Sequence, residues 1–350
     1  MLFSTSGWKT DFQRRTVALS EITSGGPPRD GIPPIDRPQV VSTTDADAWL
    51  KDNEPVVMVE IGDQARAYPL QILIWHEIAN DVLGETPIAV TFCPLCNTAI
   101  AFDRRVDGVG TLRFGTTGNL RHSDLVMWSD DPGETWWQQV TGEAIVGSLA
   151  GTRLIAVPAQ VIAFADFKAA YPAGQVISQE TGHARSYGRN PYVGYDDISS
   201  SPFLFSGPTD TRLPPMERVV AAELNGEAVA YPFRDLLRVR AVNDTLGGRP
   251  IAVLHQGGTA SALDSGVIPA SRDVGAAGVF ERELSGHILT LRATEDGTIR
   301  DHETGSVWDI TGRATGGALA GQRLKPIVHD TRFWFVAAVA RPGLRLWRAE

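Results

Sequence analysis

The chain repeats itself over most of its length. The segment Ala65–Val90, ARAYPLQILIWHEIANDVLGETPIAV, aligns without a gap on Ala228–Val253, AVAYPFRDLLRVRAVNDTLGGRPIAV, at an offset of 163 residues. TGEAIVGSLAGTRL at 141–154 and TGRATGGALAGQRL at 311–324 follow in the same order, at a slightly larger offset. Two collinear matches of this length indicate a duplication, so the sequence predicts two pseudo-symmetric repeats.

The duplication divides the chain into four predicted parts. Residues 1–54 form an N-terminal arm that contains SGGPPRDGIPPIDRPQ, which is too rich in proline for regular structure. We expect this arm to lie extended on the body. Residues 55–175 form the first repeat and residues 218–350 the second. Residues 176–217 form a connector loop rich in Gly, Tyr and Arg.

Each repeat has the same predicted local structure. In the first, VVMVEIGDQARAYPL alternates apolar and polar residues around a Gly-Asp turn, which predicts a β-hairpin. Pro69 starts a predicted helix, PLQILIWHEIAND, which a turn at NDVLGETP ends. IAVTF and TAIAFDR follow as predicted strands. The expected fold class is therefore mainly β (α+β), with one helix in each repeat.

Composition excludes some classes of function. A hydrophobic content of 43% and a charged content of 21% are typical of a globular domain. The net charge of -9 argues against a nucleic-acid partner, because phosphates are bound by clustered Lys and Arg. No apolar run reaches the roughly 20 residues that span a bilayer, and the first residues lack a signal-peptide pattern. We therefore expect no membrane span and a cytoplasmic location.

Both cysteines of the chain, Cys93 and Cys96, lie in AVTFCPLCNTAIAF. At the repeat offset they correspond to Gln256 and Thr259, so the second repeat keeps the scaffold without the thiols. Duplicated halves that share a scaffold and differ in reactive residues place the chemistry in one half. We therefore expect the functional site in the first repeat.

The C-x-x-C pair allows three roles: metal binding, thiol–disulfide exchange, or packing. A tight turn at a strand end would present both sulfurs to one soft ion such as Zn²⁺ or Cu⁺. A thioredoxin-like pair lies at the N-terminus of a helix, whereas the residues after Cys96 predict a strand. The absence of the thiols from the second repeat argues against a role in packing alone. Metal binding is therefore favoured over thiol–disulfide exchange.

Two thiolates need further ligands, and the sequence offers His76 on the predicted helix and His122 in NLRHSDLVMW. The chain has no second C-x-x-C or H-x-x-H, so an open site is expected rather than a closed structural one. The predicted metal ligands are Cys93, Cys96, His76 and His122, with copper as the metal and zinc as the alternative. Cys93, Cys96 and His122 are the predicted catalytic residues. Glu77 is expected to be a solvated helix residue, and the alternative is a carboxylate that supports a metal ligand.

Two further clusters are candidates for substrate binding. Asp124 lies two residues after His122, so on a strand both would share a face. The alternative is a polar turn before an aromatic core strand. YGRNPYVGYDD combines Arg and Tyr in a Gly-rich loop, which suits a carboxylate or phosphate ligand, although an ordered loop over the repeat junction is an alternative. The predicted set for a small-molecule or peptide substrate is Arg121, Asp124, Trp128, Tyr187, Arg189 and Tyr192.

Several long stretches resemble one family. SGGPPRDGIPPID, ARAYPLQILIWHEIAND, VTFCPLCNTAIAFDR, RHSDLVMW, WWQQVTGEAIVG and YGRNPYVGYD are similar to DUF3179, a domain of unknown function, and GTASALDS resembles it in the second repeat. The resemblance covers nearly the whole chain. It implies that the C-P-L-C pair, His76 and His122 belong to signature stretches of the family, and it implies no activity.

The leading hypothesis from the sequence is a copper-dependent oxidoreductase or oxygenase. Its metal site would face a pocket lined by Trp128, Tyr187 and Arg189. Three alternatives stay open: a non-catalytic zinc or copper carrier, a thiol–disulfide protein, and a ligand-binding module that uses the Arg/Tyr loop.

Overall fold

A computed structural model describes residues 3–349 of the 350-residue chain. The fold is mainly β, with several small sheets and five short α-helices in this range. None of these helices has the length and the apolar character that a crossing of the bilayer requires.

The helices are at most two turns long. They are α1 (Thr43–Ala46), α2 (Leu70–His76), α3 (Phe164–Ala170), α4 (Phe233–Val239) and α5 (Trp334–Ala340), with single 3₁₀ turns at Leu19–Glu21 and Ile268–Ala270.

The strands fall into two sets along the chain. The first set is β1 (Ile22–Ser24), β2 (Ile35–Asp36), β3 (Val40–Ser42), β4 (Pro55–Ile61), β5 (Gln64–Pro69), β6 (Ile78–Leu83), β7 (Thr86–Cys93), β8 (Thr98–Asp103), β9 (Arg105–Val106), β10 (Gly110–Thr111), β11 (Phe114–Arg121), β12 (Asp124–Ser129), β13 (Trp136–Gln138), β14 (Glu143–Val146), β15 (Ala156–Val157), β16 (Ala159–Ala163) and β17 (Gln175–Ile177). The second set is β18 (Arg218–Leu224), β19 (Glu227–Pro232), β20 (Ala241–Leu246), β21 (Arg249–Gln256), β22 (Ala276–Glu281), β23 (Glu283–Leu284), β24 (His287–Ile288), β25 (Leu291–Ala293), β26 (Ile299–Asp301), β27 (Val307–Trp308), β28 (Ala314–Gly316), β29 (Lys325–Pro326), β30 (His329–Phe333) and β31 (Arg345–Leu346).

Three five-stranded sheets contain most of the first set. Their strand orders are β16-β4-β5-β17-β3, β15-β8-β7-β6-β2 and β1-β11-β12-β13-β14. Three four-stranded sheets of the second set have the orders β30-β18-β19-β31, β20-β21-β22-β29 and β25-β26-β27-β28. The predicted hairpin around Gly62 is confirmed, because β4 and β5 pair antiparallel. The predicted strands IAVTF and TAIAFDR lie in β7 and β8 and also pair antiparallel.

The predicted helix in the first repeat was too long. Helix α2 ends at His76, since Glu77 adopts the left-handed conformation at φ 59° and its N–H bonds to the carbonyl of Leu73. The sequence IANDVL forms strand β6, so Asn80 and Asp81 are strand residues and not part of a turn. The expectation of one helix per repeat was also wrong, because α3 and α5 each follow a later strand.

The N-terminal arm is less irregular than predicted. It contains a 3₁₀ turn, helix α1 and strands β1 to β3, and each strand joins a sheet. Strand β1 pairs with β11, and β2 pairs parallel with β6. The proline-rich run lies mostly between these two short strands, because proline cannot donate the N–H that a central strand needs.

The largest hydrophobic core cluster contains both cysteines. It combines residues of the first set of strands with residues late in the chain, including Phe333 and Phe335. The N–H of Phe333 donates to the carbonyl of Cys96 at 2.9 Å, so strand β30 ends directly against the cysteine turn. The turn is therefore held from both parts of the chain.

Candidate metal centre

The two cysteines flank a tight turn between β7 and β8. Strand β7 ends at Cys93, the N–H of Cys96 bonds to the Cys93 carbonyl at 3.2 Å, and Asn97 takes a left-handed conformation at φ 54°. Strand β8 begins at Thr98, which confirms that a strand and not a helix follows the pair. Both thiols are free and buried. The turn thus presents two sulfurs to one side, as the sequence predicts.

The hairpin β11–β12 provides the other side of the site. Arg121 pairs with Asp124, so His122 and Ser123 form a two-residue turn, with φ of 54° and 71°. Such turns favour Asn and Gly because both positions are left-handed, and the His-Ser turn therefore stores backbone strain. The Ser123 carbonyl lies 3.5 Å from Cys96 Sγ and 3.9 Å from Cys93 Sγ.

Asp124 completes a group of three potential ligands. Its Oδ1 accepts from Cys96 Sγ at 3.5 Å, and its Oδ2 accepts from the backbone N–H of Val140 at 3.0 Å. One ligand atom each from Cys93, Cys96 and Asp124 lies within 4.8 Å of the other two. Among residues 3–349 this is the one such group of His, Cys, Asp and Glu side chains, and it contains no histidine.

Burial dominates the electrostatics of the group. Loss of solvent raises the pKa of Asp124 to about 7, although the hydrogen bond from Val140 opposes the shift. Burial also raises the pKa of the Cys96 thiol, with a contribution from the nearby Cys93. The Arg332 guanidinium favours ionised Asp124, but Arg332 is itself paired with the carboxylate of Asp330. Among residues 3–349, the cation that acts on these acidic groups is therefore shared with Asp330.

Glu77 is buried, which corrects the expectation of a solvated helix residue. Only 7% of Glu77 is exposed, because the left-handed turn at the end of α2 directs the chain back into β6. Burial raises the pKa of its carboxyl to about 8, and Asp124 adds to the shift. A second buried carboxyl, besides that of Asp124, thus lies near the cysteine turn.

A cavity of about 300 Å³ adjoins this group. Leu95 of the cysteine turn and Leu125, the neighbour of Asp124, form part of its wall together with Glu77. Tyr192 and Tyr195 of the connector form the opposite wall, and burial raises the pKa of both phenols. The connector is therefore a wall of this cavity.

The structure does not bring His76 to the cysteines. Its Nδ1 bonds to the carbonyl of Pro33 at 2.7 Å, which requires a proton on Nδ1. Its Nε2 then accepts from the Tyr187 hydroxyl, also at 2.7 Å. Burial lowers the pKa of His76 to about 4, with an opposing contribution from Pro33. Both ring nitrogens are thus occupied, and His76 fixes the helix end to the arm and the connector.

His122 also lies outside the group of three ligands. The i, i+2 spacing predicted that His122 and Asp124 share a strand face. This was wrong, because His122 is a turn residue. Its Nε2 lies 3.2 Å from Glu21 Oε2 and its Nδ1 lies 3.5 Å from Ser206 Oγ. Burial lowers its pKa, and the neighbouring Arg121 adds to the shift.

The predicted substrate-binding residues separate into different places. Tyr192 lines the cavity and Asp124 joins the thiols. Arg121 bonds to Glu21 and Gln138, and the Trp128 ring stacks with Arg29 at 3.6 Å.

The remaining two of these residues also bond elsewhere. The Tyr187 hydroxyl bonds to His76 and Thr181, and the Arg189 carbonyl accepts from Trp75. The predicted pocket of Trp128, Tyr187 and Arg189 does not coincide with the cavity beside the cysteine turn.

Sequence reasoning missed Glu77, Tyr195 and Arg332 as neighbours of the site. Arg332 comes from β30, and no spacing in the sequence links it to Asp124. The proximity of Tyr195 to Leu95, whose carbonyl accepts from the Tyr195 hydroxyl at 3.1 Å, depends on the path of the connector. Glu77 is buried because it is itself the left-handed residue that ends α2. Glycine is the usual sequence signal for such a helix end, and the chain has no glycine there.

Comparison with known proteins gives one match. A family model described as "Protein of unknown function (DUF3179)" matches residues 29–342. No curated protein and no solved structure shows significant similarity to the chain.

Proposed function

Because the chain belongs to the DUF3179 family, whose description assigns no activity, we propose from the site alone that the protein is a metalloenzyme with one metal ion held by Cys93, Cys96 and Asp124. One observation carries the proposal. A fully buried carboxyl lies beside two buried thiols, and Arg332, the cation that acts on this carboxyl among residues 3–349, is shared with Asp330. Burial of unbalanced acidic groups costs free energy, which a bound cation would recover.

The set of donor atoms bears on the choice of metal. The sequence predicts copper with a histidine ligand, and the alternative is zinc. Two thiolates with a carboxylate suit Zn²⁺ better than Cu⁺, because copper(I) prefers sulfur and imidazole donors. We therefore propose zinc first and copper second. Bound zinc would supply Lewis-acid chemistry, and bound copper would supply the electron transfer that an oxidoreductase or oxygenase needs.

The neighbouring cavity supports an enzyme over a carrier. Three protein ligands leave a position that a fourth group can take, and catalytic sites differ from structural ones in this respect. The three proposed ligands do not line the cavity themselves, but the wall residues Leu95 and Leu125 are their neighbours along the chain, so we assign the cavity to the substrate. A non-catalytic metal carrier is the second candidate, favoured by the depth at which the three donor groups are buried.

The location of the site in one half rests on the proposed duplication. Matched hydrogen bonds support the duplication: the Tyr68 hydroxyl donates to Asp81 at 2.7 Å, and the Tyr231 hydroxyl donates to Asp244 at the same distance. A thiol–disulfide function is less favoured, because strand β8 follows the pair in place of the helix whose N-terminus activates a thioredoxin-like thiol.

Elemental analysis of anaerobically purified protein tests the proposal. We expect about one zinc or copper ion per chain, and almost none in the double variant Cys93→Ser, Cys96→Ser. Dioxygen consumption with a chemical reductant then separates the two metals, since only copper supports it. Wild-type protein that holds no metal after exposure to either ion, with two titratable thiols, would refute the metal centre.

A further inference from the structure

The cavity beside the cysteine turn has apolar walls and one acidic group. Apart from Glu77, most of its surface comes from aliphatic and aromatic side chains, among them Leu95, Leu120, Leu125 and Phe203. No Lys, Arg or His lines it among residues 3–349. A volume of about 300 Å³ admits a small molecule and excludes a folded partner. The lining therefore selects against anions.

Among residues 3–349, no side chain or backbone group donates a hydrogen bond to the Glu77 carboxyl. The influences on its pKa are burial and the charge of Asp124, and no hydrogen bond to its carboxyl contributes. Only 7% of Glu77 is exposed, and the residue lines the cavity. Buried polar groups are normally hydrogen-bonded, so a carboxyl left in this state indicates a missing ligand group.

Aromatic rings surround the rest of the space. The Tyr195 hydroxyl is fixed because it accepts from the N–H of Phe203 at 3.1 Å and donates to Leu95. Tyr192 is held by a bond from its N–H to Asn190 Oδ1 at 2.7 Å. Phe203 is 48% exposed, so it lies where the cavity meets the solvent. Aromatic faces attract cations through the quadrupole of the ring.

We propose that this cavity binds a small apolar molecule that carries one amine, with the amine against the Glu77 carboxyl and the apolar part between Tyr192, Tyr195 and Phe203. An amine and a carboxyl have the same total charge whichever of them holds the proton, so the pair adds no uncompensated charge to the interior. A carboxylate or phosphate ligand would add one. As the substrate class of the metal centre, this assignment rests on the proposed function.

Calorimetry with three probes of similar shape tests the proposal on the full chain: 2-phenylethylamine, the neutral 2-phenylethanol and the anionic 3-phenylpropanoate. We expect the amine to bind at least about tenfold more tightly than the alcohol, because it alone matches the buried carboxyl. The anion should not bind. In Glu77→Gln the preference for the amine should disappear, whereas the exposed control Glu85→Gln should keep it.

A second variant allows the proposal to be tested even if Glu77→Gln does not fold. Phe203→Leu changes a half-exposed residue and should weaken binding of the amine about threefold, with little change for the alcohol. Equal binding of the three probes, no binding of the amine by the wild-type protein, or a preference that survives in Glu77→Gln would each overturn the proposal.

Metal content measured on the same samples separates the two proposals. Metal without selective binding of the amine refutes the substrate class and leaves the metal centre. Selective binding of the amine without metal, in the wild-type protein and in Cys93→Ser, Cys96→Ser alike, supports the ligand site and refutes the metal centre.

Discussion

Residues 70–98 and 233–261 have the same local architecture and different chemistry. In each, a helix of seven residues follows a Tyr-Pro pair and ends at a left-handed residue, Glu77 or Arg240, with φ of 59°. In β7 the N–H of Phe92 donates to the carbonyl of Glu77 at 2.7 Å. In β21 the N–H of His255 donates to the carbonyl of Arg240 at 2.8 Å. A hairpin follows in both.

The two regions differ after the hairpin. In the first, the turn Cys93–Cys96 leads straight into β8 and lies under Asp124. In the second, residues 257–275 form a longer excursion before β22, in which Asp273 accepts hydrogen bonds from Gly258 and Thr259. The left-handed helix end is therefore a feature of the scaffold, because a buried acid and an arginine both adopt it. The two thiols occur in the first region alone.

The largest expected effect separates the two turns directly. Cys96→Ser should reduce bound metal from about one ion per chain to nearly none, because serine does not ionise to a soft donor at neutral pH. The matched change Thr259→Ser should leave the metal content as in the wild-type protein. Elemental analysis measures both, and equal metal content in the two variants would remove the distinction between the turns.

Asp124 is the third proposed ligand beside the cysteine turn. Asp124→Asn keeps the shape of the side chain and removes its charge, so metal affinity should fall at least about tenfold. Competition with a chelator of known affinity measures the change. An unchanged affinity would mean that the two thiols hold the ion without the carboxylate.

A pair of asparagines compares the two scaffolds. Asn80 bonds to both backbone groups of Phe114, and Asn243 bonds in the same way to Leu291. Asn80 is buried and Asn243 is exposed. Urea unfolding should show a loss of about 3 kcal/mol for Asn80→Ala and about 1 kcal/mol for Asn243→Ala, because water replaces the lost bonds only at the exposed site. Equal losses would contradict this difference.

His255 gives the second region its own pH dependence. It replaces the apolar Phe92 of the first region, and neither of its ring nitrogens has a partner among the described residues. Burial lowers its pKa to about 4, and the charge of Arg240 adds to the shift, whereas Asp273 opposes it. As the pH falls below the ordinary value of 6.5, the unfolded chain takes up a proton that the folded chain does not, so stability falls.

His255→Leu should remove this contribution. Between pH 7 and pH 5 we expect the wild-type protein to lose about 2 kcal/mol of unfolding free energy more than the variant does. Urea unfolding at the two pH values measures the difference. The exposed control His287→Gln should behave as the wild-type protein does, and parallel losses in wild type and His255→Leu would exclude His255 as the source.

The sequence alone determined those features that depend on neighbours along the chain. Alternation predicted the β4–β5 hairpin, the apolar runs predicted β7 and β8, and the C-x-x-C spacing predicted a turn with two thiols on one side. It placed the end of α2 too late, because the left-handed conformation of Glu77 is stabilised by the strand that follows and not by a glycine.

The tertiary structure alone decided which groups meet the thiols. Asp124 reaches them because His122 and Ser123 form a tight turn, and the same turn removes His122 from the site. His76 bonds to Pro33 and Tyr187 and is not in the group, and Arg332 comes from a strand more than two hundred residues later in the sequence than Asp124. Long-range packing sets these distances, and no local pattern in the sequence encodes them, because the free energy of such contacts depends on partners that only the folded chain brings together.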